Sequence, residues 1–273
     1  MKRFPWGSSV TIVVLLLFTY IPFVEVVENS IKSDSQIAMD PLGFLAAFHI
    51  QNYISAWNGM VQYLGNTIAV AVISVLIAVP SATAAGYVFA TTEFRGKKLV
   101  FYAFMGLMMI PWTLTLIPLF VEVKNFNLYN NWGALILPYA AGSQPLLVYL
   151  FRVFFESIPA DLYESAKLDG CSDVGILLRI VTPLSIPVLM TGTVLMFINI
   201  WGDYLWPTIA LPNYHLLTVS AGLQTFLGSF GATGHGAGAA YAAYVLAMAP
   251  IIALLLGSMR YFVNGITAGA VKG

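Results

Sequence analysis

The sequence predicts an all-α integral membrane protein with six transmembrane helices and a short cytoplasmic helix between the fourth and fifth spans. Three observations predict this class: scarce charge, long charge-free stretches, and one polar segment that carries helix signals. Charged residues make up 9% of the 273 residues and hydrophobic residues 59%. An average soluble chain is about 25% charged, so this chain cannot cover a globule of its size with solvated surface. A lipid bilayer accepts such a composition.

Several function classes are excluded by what the sequence lacks. The net charge is zero, which gives no indication of nucleic-acid binding. The single cysteine, Cys171, excludes an internal disulfide and a cysteine-rich metal site. His49, His215 and His235 have no carboxylate at metal-ligand spacing, so we expect no metal. The chain has no G-x-x-x-x-G-K-[ST] phosphate loop, so we expect that it does not hydrolyse ATP itself.

The charge-free stretches place the six spans. A span needs about 20 mostly apolar helical residues. The two longest charge-free stretches begin with polar residues, so each leaves room for one span near its end. We predict a single transmembrane domain over residues 1–273, with a loop at 158–182 and a tail at 263–273. The predicted spans are 8–28, 63–90, 99–122, 132–155, 183–206 and 239–262.

The lysines and arginines predict the orientation. Six spans put both termini and the second and fourth loops on one side, and that side holds all but two of the basic residues, Lys32 and Lys124. Because cytoplasmic segments carry the excess of basic residues, both termini should be cytoplasmic. Lys2 and Arg3 could also open a cleaved signal peptide. The apolar run reaches Val27 without a small-x-small cleavage site, so we expect a retained helix.

The segment 158–182 is polar and carries the signals of a short amphipathic helix. Asp161 and Glu164 favour the positive end of a helix dipole. Leu162, Ala166 and Leu168 can share an apolar side, and Gly170 can end the helix in a left-handed conformation. A helix lying on lipid is the alternative. The segment has four acids against two basic residues while the cytoplasmic leaflet is anionic, so a protein partner is the better interpretation.

The same segment resembles a known family motif. Glu164-Ser165-Ala166, then Gly170, Ile180 and Pro183, are similar to the EAA motif of binding-protein-dependent ABC importers, which reads E-A-A, three residues, G, nine residues, I-x-L-P. Ser165 replaces the first alanine and Thr182 the leucine. The end of the chain, residues 260–273, resembles the tail of maltose-type (MalG-like) carbohydrate-uptake permeases, and Asn66-Thr67 is also similar to that family.

The resemblance implies the permease subunit of an ATP-driven sugar importer in the plasma (inner) membrane of a prokaryote. Implied partners are a second homologous permease in a heterodimer, two ATPase subunits that bind ATP and Mg, and an extracytoplasmic sugar-binding protein. The EAA helix, here the coupling helix, would sit in a cleft of an ATPase subunit, and the tail residues Thr267, Ala268 and Gly269 would also contact the ATPases. The implied coupling residues are Glu164, Ser165, Ala166, Leu168, Asp169, Gly170, Ile180 and Pro183.

Polar and aromatic residues inside the spans are candidates for the substrate path or a gate: Gln144, Asn199, Trp201 and Asp203. Where the family shows W-N-E-F, this chain has Trp201-Gly202-Asp203-Tyr204. Asp203 lies near the outer end of its span, where we expect it to hold a gate or face the second permease. The Gly/Ala-rich segment 228–240 is interpreted as a flexible outer loop.

Two rival interpretations come from other function classes. An ion-coupled secondary transporter of a small polar solute would use buried acids near the midplane, and only Glu25 and Asp203 are available for that role. An intramembrane enzyme would need a Ser/His, H-E-x-x-H or paired-Asp constellation inside the spans, and the sequence shows none.

Overall fold

The computed structural model describes residues 6–43, 48–229 and 236–270, without the side chains of 7–9 and 260–270. Every regular element in these ranges is helical, which confirms the all-α class. In chain order the helices are α1 Trp6–Asn29, α2 Asp34–Met39, α3 Ile50–Thr91, α4 Lys97–Gly106, α5 Trp112–Asn125, α6 Gly133–Gly142, α7 Gln144–Phe155, α8 Ala160–Leu168, α9 Asp173–Ile176, α10 Thr182–Leu184, α11 Ile186–Gly202, α12 Leu205–Ala210, α13 Val219–Gly228 and α14 Ala237–Ala270.

Three short non-α turns join some of these helices. A 3₁₀ turn, Leu107–Met109, follows α4, and a second, Tyr214–Leu216, precedes α13. A π-helical turn, Leu177–Val181, separates α9 from α10. Turns of this kind interrupt the regular backbone hydrogen bonds and change the direction of a helix.

Four segments of the described chain are long and apolar enough to cross a membrane: Val10–Asn29, α3, Gly133–Phe155 and Ala237–Met259. Two bent pairs raise the number to six if each pair is one span. The first joins Lys97–Met109 to α5 at 99°, and the second joins Asp173–Leu184 to α11 at 79°. The chain is therefore a multi-pass membrane protein, and the count of six stays a prediction.

The structure moves several predicted boundaries. Helix α3 begins at Ile50 instead of residue 63, because the polar-looking segment forms an amphipathic helix that buries Ala56, Met60 and Tyr63 at helical spacing. Helix α11 ends at Gly202 instead of 206, because Asp203 is extended. Helix α14 includes 237–240, predicted as loop, and 263–270, predicted as tail. The rest of that loop at 230–235, and residues 271–273, lie outside the described residues.

The chain divides into two compact units, of which the first comprises Met1–Leu64 with Gly222–Pro250. A buried lysine organises it: Lys32 is 2% exposed, lies 3.4 Å from Glu28 Oε1 and donates to the Pro41 carbonyl at 3.0 Å. Asn52 donates to the Lys32 carbonyl at 2.8 Å. Asp34 Oδ1 accepts a hydrogen bond from the Gly238 N–H at 3.0 Å. These bonds tie the turn after α1 and the start of α2 to the starts of α3 and α14.

The second unit comprises Gly65–Ala221 with Ile251–Gly273. Asn66 and Thr67 hold the non-helical segment before α13. Asn66 Nδ2 donates to the carbonyls of His215 at 2.8 Å and Leu217 at 2.9 Å, and Thr67 Oγ1 accepts from the Val219 N–H at 2.7 Å. Both side chains are buried. They satisfy backbone groups that would otherwise lie unpaired in an apolar environment, which gives this dipeptide a structural role.

We predict that Asn66→Ala destabilises the protein more than Asn58→Ala. Asn66→Ala removes two hydrogen bonds and leaves two carbonyls without them, at an expected cost of about 1–3 kcal/mol. Asn58 is an exposed asparagine of the same helix, so its replacement should have little effect. Thermal unfolding in detergent measures both; equal melting temperatures for the two variants would contradict the role given to Asn66.

Candidate functional site

Helix α8 lies where the sequence predicts a short polar helix, and its C-terminal turn is well defined. Gly170 has φ +80°, its N–H donates to the Lys167 carbonyl at 3.0 Å, and the Cys171 N–H donates to the Ala166 carbonyl at 3.0 Å. These two bonds are the Schellman arrangement, which needs a left-handed residue at the glycine position. A side chain there costs about 1–2 kcal/mol, which explains the glycine.

Most side chains of α8 point outward from this chain. Glu164, Ser165 and Asp169 are exposed. Leu168 is 89% exposed and Leu162 43% exposed, although both are large and apolar. Both leucines are therefore open to a partner that contacts α8.

Ala166 does not share that outward side, contrary to the sequence-based expectation. It is 5% exposed and turned into its own chain, because it lies one position past the outward Ser165 on the helix circumference. Of the remaining motif residues, Ile180 is half-buried in the π-helical turn, and Pro183 is exposed in α10.

Tyr163 fastens α8 to the rest of the unit. Its O–H donates to the Phe155 carbonyl at the end of α7 at 3.0 Å, and its ring lies 6.3 Å from that of Tyr87 in α3. Burial, with a smaller contribution from Tyr87, raises the pKa of Tyr163 to about 12. The unperturbed pKa is about 10. The contribution of the protonated phenol to stability is therefore fully present below about pH 10 and is lost as the pH rises towards 12.

A second candidate site is a cavity of about 860 Å³ within the second unit. Its volume is in the range of about 300–1,000 Å³ typical of small-molecule sites. It is bordered by the 3₁₀ turn after α4, by the start of α12 and by α5, α6, α7 and α11. The residues that line it include Leu107, Ile110, Trp112, Thr115, Tyr139, Ser143, Leu147, Asn199, Gly202, Asp203 and Trp206.

Two breaks in the helical backbone border this cavity. One follows α4, where Ile110 and Pro111 are extended, and the other follows α11 at Asp203. Irregular backbone at membrane depth is tolerated where it is buried in protein or lines a cavity. Both breaks meet this condition, because Ile110 and Asp203 are among the lining residues.

Asp203 organises the break after α11. Tyr139 O–H donates to its Oδ2 at 2.9 Å, and the N–H groups of Leu205 and Trp206 donate to its Oδ1 at 3.0 and 3.2 Å. The carboxylate thus caps the start of α12. Trp206 is fully buried and donates its indole N–H to the Ala134 carbonyl at 2.9 Å.

The predicted pathway residues divide into two pairs. Asn199 and Asp203 line the cavity. Trp201 is buried and stacks on Phe197, with ring centroids 5.3 Å apart. Gln144 points to α3, where it donates to the Ala78 carbonyl at 3.2 Å and to Ser81 at 3.0 Å. Sequence reasoning missed Trp112, although Pro111 before it signals a helix break.

Two further sequence predictions concern the C-terminal tail and metal binding. Thr267, Ala268 and Gly269 lie in the last turns of α14, where side chains are not described. Among the described residues, no group of three His, Cys, Asp or Glu side chains could hold a metal ion. His235 lies outside them.

Comparisons with known proteins identify the family of this chain and several similar permeases. A model of the family described as "Binding-protein-dependent transport system inner membrane component" matches residues 41–268. The chain is 33% identical to "Probable ABC transporter permease protein YurM" of Bacillus subtilis (strain 168), covering 99% of this chain and 91% of that protein. It is 31% identical to "Trehalose transport system permease protein SugB" of Mycobacterium tuberculosis (strain CDC 1551 / Oshkosh), covering 98% and 97%.

A third relative is "Arabinooligosaccharides transport system permease protein AraQ" of Halalkalibacterium halodurans, 29% identical over 95% of this chain and 89% of that protein. Among solved structures, a chain of a bacterial ABC transporter involved in the import of the acidic polysaccharide alginate matches with a TM-score of 0.82. The identity is 22%, and the match covers 94% of this chain and 95% of that chain. This likeness shows the fold.

We predict that Tyr163→Phe loosens α8. The variant keeps the ring and loses one hydrogen bond, worth about 0.5–1.5 kcal/mol, so amides of α8 should exchange about 2–10 times faster. Tyr149→Phe is the matched control, because Tyr149 is exposed on the neighbouring α7. Hydrogen exchange read by mass spectrometry measures both, and unchanged protection of α8 in Tyr163→Phe would contradict this role.

Proposed function

Since the chain belongs to the family of binding-protein-dependent transport system inner membrane components, we propose that it is the permease subunit of an importer whose solute is a sugar. It is a multi-pass inner-membrane subunit and not itself the ATPase. The family match over most of the chain carries the permease assignment. Relatives named for trehalose and arabino-oligosaccharide transport, similar along nearly their whole length, support the sugar.

The proposed assembly has two halves. This chain and a second homologous permease form a heterodimer that encloses the path. Each permease contacts one ATPase subunit, which binds ATP and Mg, and an extracytoplasmic sugar-binding protein delivers the solute. Both termini are cytoplasmic in this arrangement, as the excess of basic residues on that side indicates. Contacts of Thr267, Ala268 and Gly269 with the ATPases belong to the same proposal.

Helix α8 is the proposed contact with the ATPase. Leu162 and Leu168 supply apolar surface, and Glu164 and Asp169 supply carboxylates that can pair with basic groups of a cleft. Apolar contact combined with charged pairs is typical of protein interfaces. Ser165 is small and exposed and allows close approach, while Ala166 and the Gly170 turn set the shape of the helix. Ile180 and Pro183 shape the return of the chain into α11.

The contacts of α8 within this chain connect the proposed ATPase contact to the proposed solute path. Tyr163 joins α8 to the end of α7 and to α3. Leu147 of α7 lines the large cavity, so one rigid helix extends from the α8 attachment to the path. A displacement of α8 when the ATPases close on ATP would be carried to the cavity as a rigid-body movement.

The coupling role is tested with Gly170→Val. A side chain at φ +80° strains the turn by about 1–2 kcal/mol or more, so recovery of the ATPase with the tagged chain should fall about 5–30-fold. Gly96→Val is the matched control, because Gly96 has φ +84° and open space around it but lies before α4, outside α8. A mild-detergent pull-down from the native membrane measures both variants.

Several outcomes would contradict the proposal. Normal recovery of the ATPase with Gly170→Val, or equal loss with Gly96→Val, would count against α8 as the contact. Recovery of the chain without a second permease or an ATPase, together with uptake that needs no ATP, would favour an ion-coupled transporter and direct attention to Glu25 and Asp203.

A further inference from the structure

The described lining of the large cavity contains an acidic side chain and no basic one. Among the described residues that line it, Asp203 is the one ionisable carboxylic acid, and none is lysine, arginine or histidine. The nearby cation of α5, Lys124, is instead placed 4.9 Å from the Phe120 ring centroid and 5.0 Å from that of Tyr129. Neither ring borders the cavity. The cavity therefore presents one negative charge without a compensating cation from this chain.

The carboxylate is fixed at the cavity wall. Three donors hold it: the Tyr139 O–H and the N–H groups of Leu205 and Trp206. All three donors belong to structural elements of the wall, so the carboxylate cannot swing away from an entering solute.

Anionic groups are recognised by Arg or Lys side chains or by free helix N-termini. The cavity offers no such side chain among its described lining residues, and Asp203 already occupies the start of α12.

The other lining groups suit an uncharged polyhydroxylated solute. Asn199 is exposed, and its side-chain amide makes no hydrogen bond within the described part of the chain, so both its donor and acceptor are available. Trp112 is 43% exposed and meets Trp206 edge-on, which leaves much of its ring free for stacking. Aromatic surface with a few placed polar groups is the usual lining of a small-molecule site.

We propose that this cavity makes the permease selective for neutral sugars over acidic ones, with Asp203 as the residue that excludes anions and Trp112 and Asn199 as the contacts for the neutral solute. The inference rests on the proposed function as a sugar permease and narrows its substrate class. Two like charges about 6 Å apart at an effective dielectric near 20 repel enough to weaken binding by about tenfold or more. Sugar acids should therefore bind this site poorly.

The experiment compares matched sugars on the assembled transporter. The complex of this chain with its second permease and ATPases is placed in lipid nanodiscs without the binding protein, so that delivery does not contribute to selectivity. Calorimetric titration uses maltose, trehalose, mannotriose and galactotriose, each paired with its counterpart oxidised to a carboxylate at C6. Wild type should bind the neutral members about tenfold or more tightly than the acidic ones.

Variants test whether Asp203 causes the selectivity. Asp203→Asn keeps an acceptor for Leu205 and Trp206 and removes the charge, so the neutral-to-acidic ratio should fall by about fivefold or more. Glu122→Gln is the matched control, because Glu122 is an exposed acid of α5 that does not line the cavity. Asn199→Lys places a cation at the exposed wall and should shift the ratio towards acidic sugars, which keeps the test usable if Asp203→Asn does not assemble.

The outcomes separate this inference from the proposed function. Equal or tighter binding of the acidic sugars by wild type, or a ratio that neither Asp203→Asn nor Asn199→Lys changes, overturns the selectivity role. ATP-dependent uptake in proteoliposomes with the binding protein is measured in parallel. Absence of ATP-dependent uptake for every neutral sugar overturns the sugar-importer proposal itself.

Discussion

In a bilayer, every backbone N–H and C=O group has to find a partner within the protein, and the rest of this structure depends on that constraint. It explains why the described chain is helical and why two of the irregular segments have a compensating side chain. Asp203 caps the start of α12, and Asn66 donates to the carbonyls of His215 and Leu217. The breaks after α4 and α11 both border one cavity.

The two candidate sites share a helix. The C-terminal end of α7 accepts the Tyr163 hydrogen bond that holds α8, and Leu147, near the other end of the same helix, lines the cavity. Gly192 of α11 lies so close to Leu147 and Phe151 that a Cβ there would be 2.7 Å from Leu147 Cδ2. Because packed helices of this kind move as rigid bodies rather than deform, a push on α8 would, in the proposed mechanism, be transmitted along α7 to the solute path.

The sequence predicts the class, the approximate position of most apolar helices and the α8 turn, because these depend on local properties. Nine per cent charge excludes a soluble surface, and Gly170 marks a left-handed position. The start of α3 at Ile50, the end of α11 at Gly202 and the direction of Gln144 depend on tertiary contacts instead. Trp112 was missed because a tryptophan in an apolar run is ordinary until a helix break exposes it.

In the proposed assembly, α8 docks on a cytoplasmic ATPase subunit, and thiol chemistry at Ser165 probes that contact. Ser165→Cys, in a Cys171→Ser background, places a single exposed thiol on the outward face of α8. In native membranes this thiol, labelled with a photoactivatable maleimide, should cross-link to the ATPase subunit on illumination, whereas the thiol of Ala166→Cys, at a buried position in the same background, should not. Modification of the Ser165→Cys variant by a membrane-impermeant maleimide added from outside the cell, without any cross-link to an ATPase, would show that α8 does not dock on an ATPase.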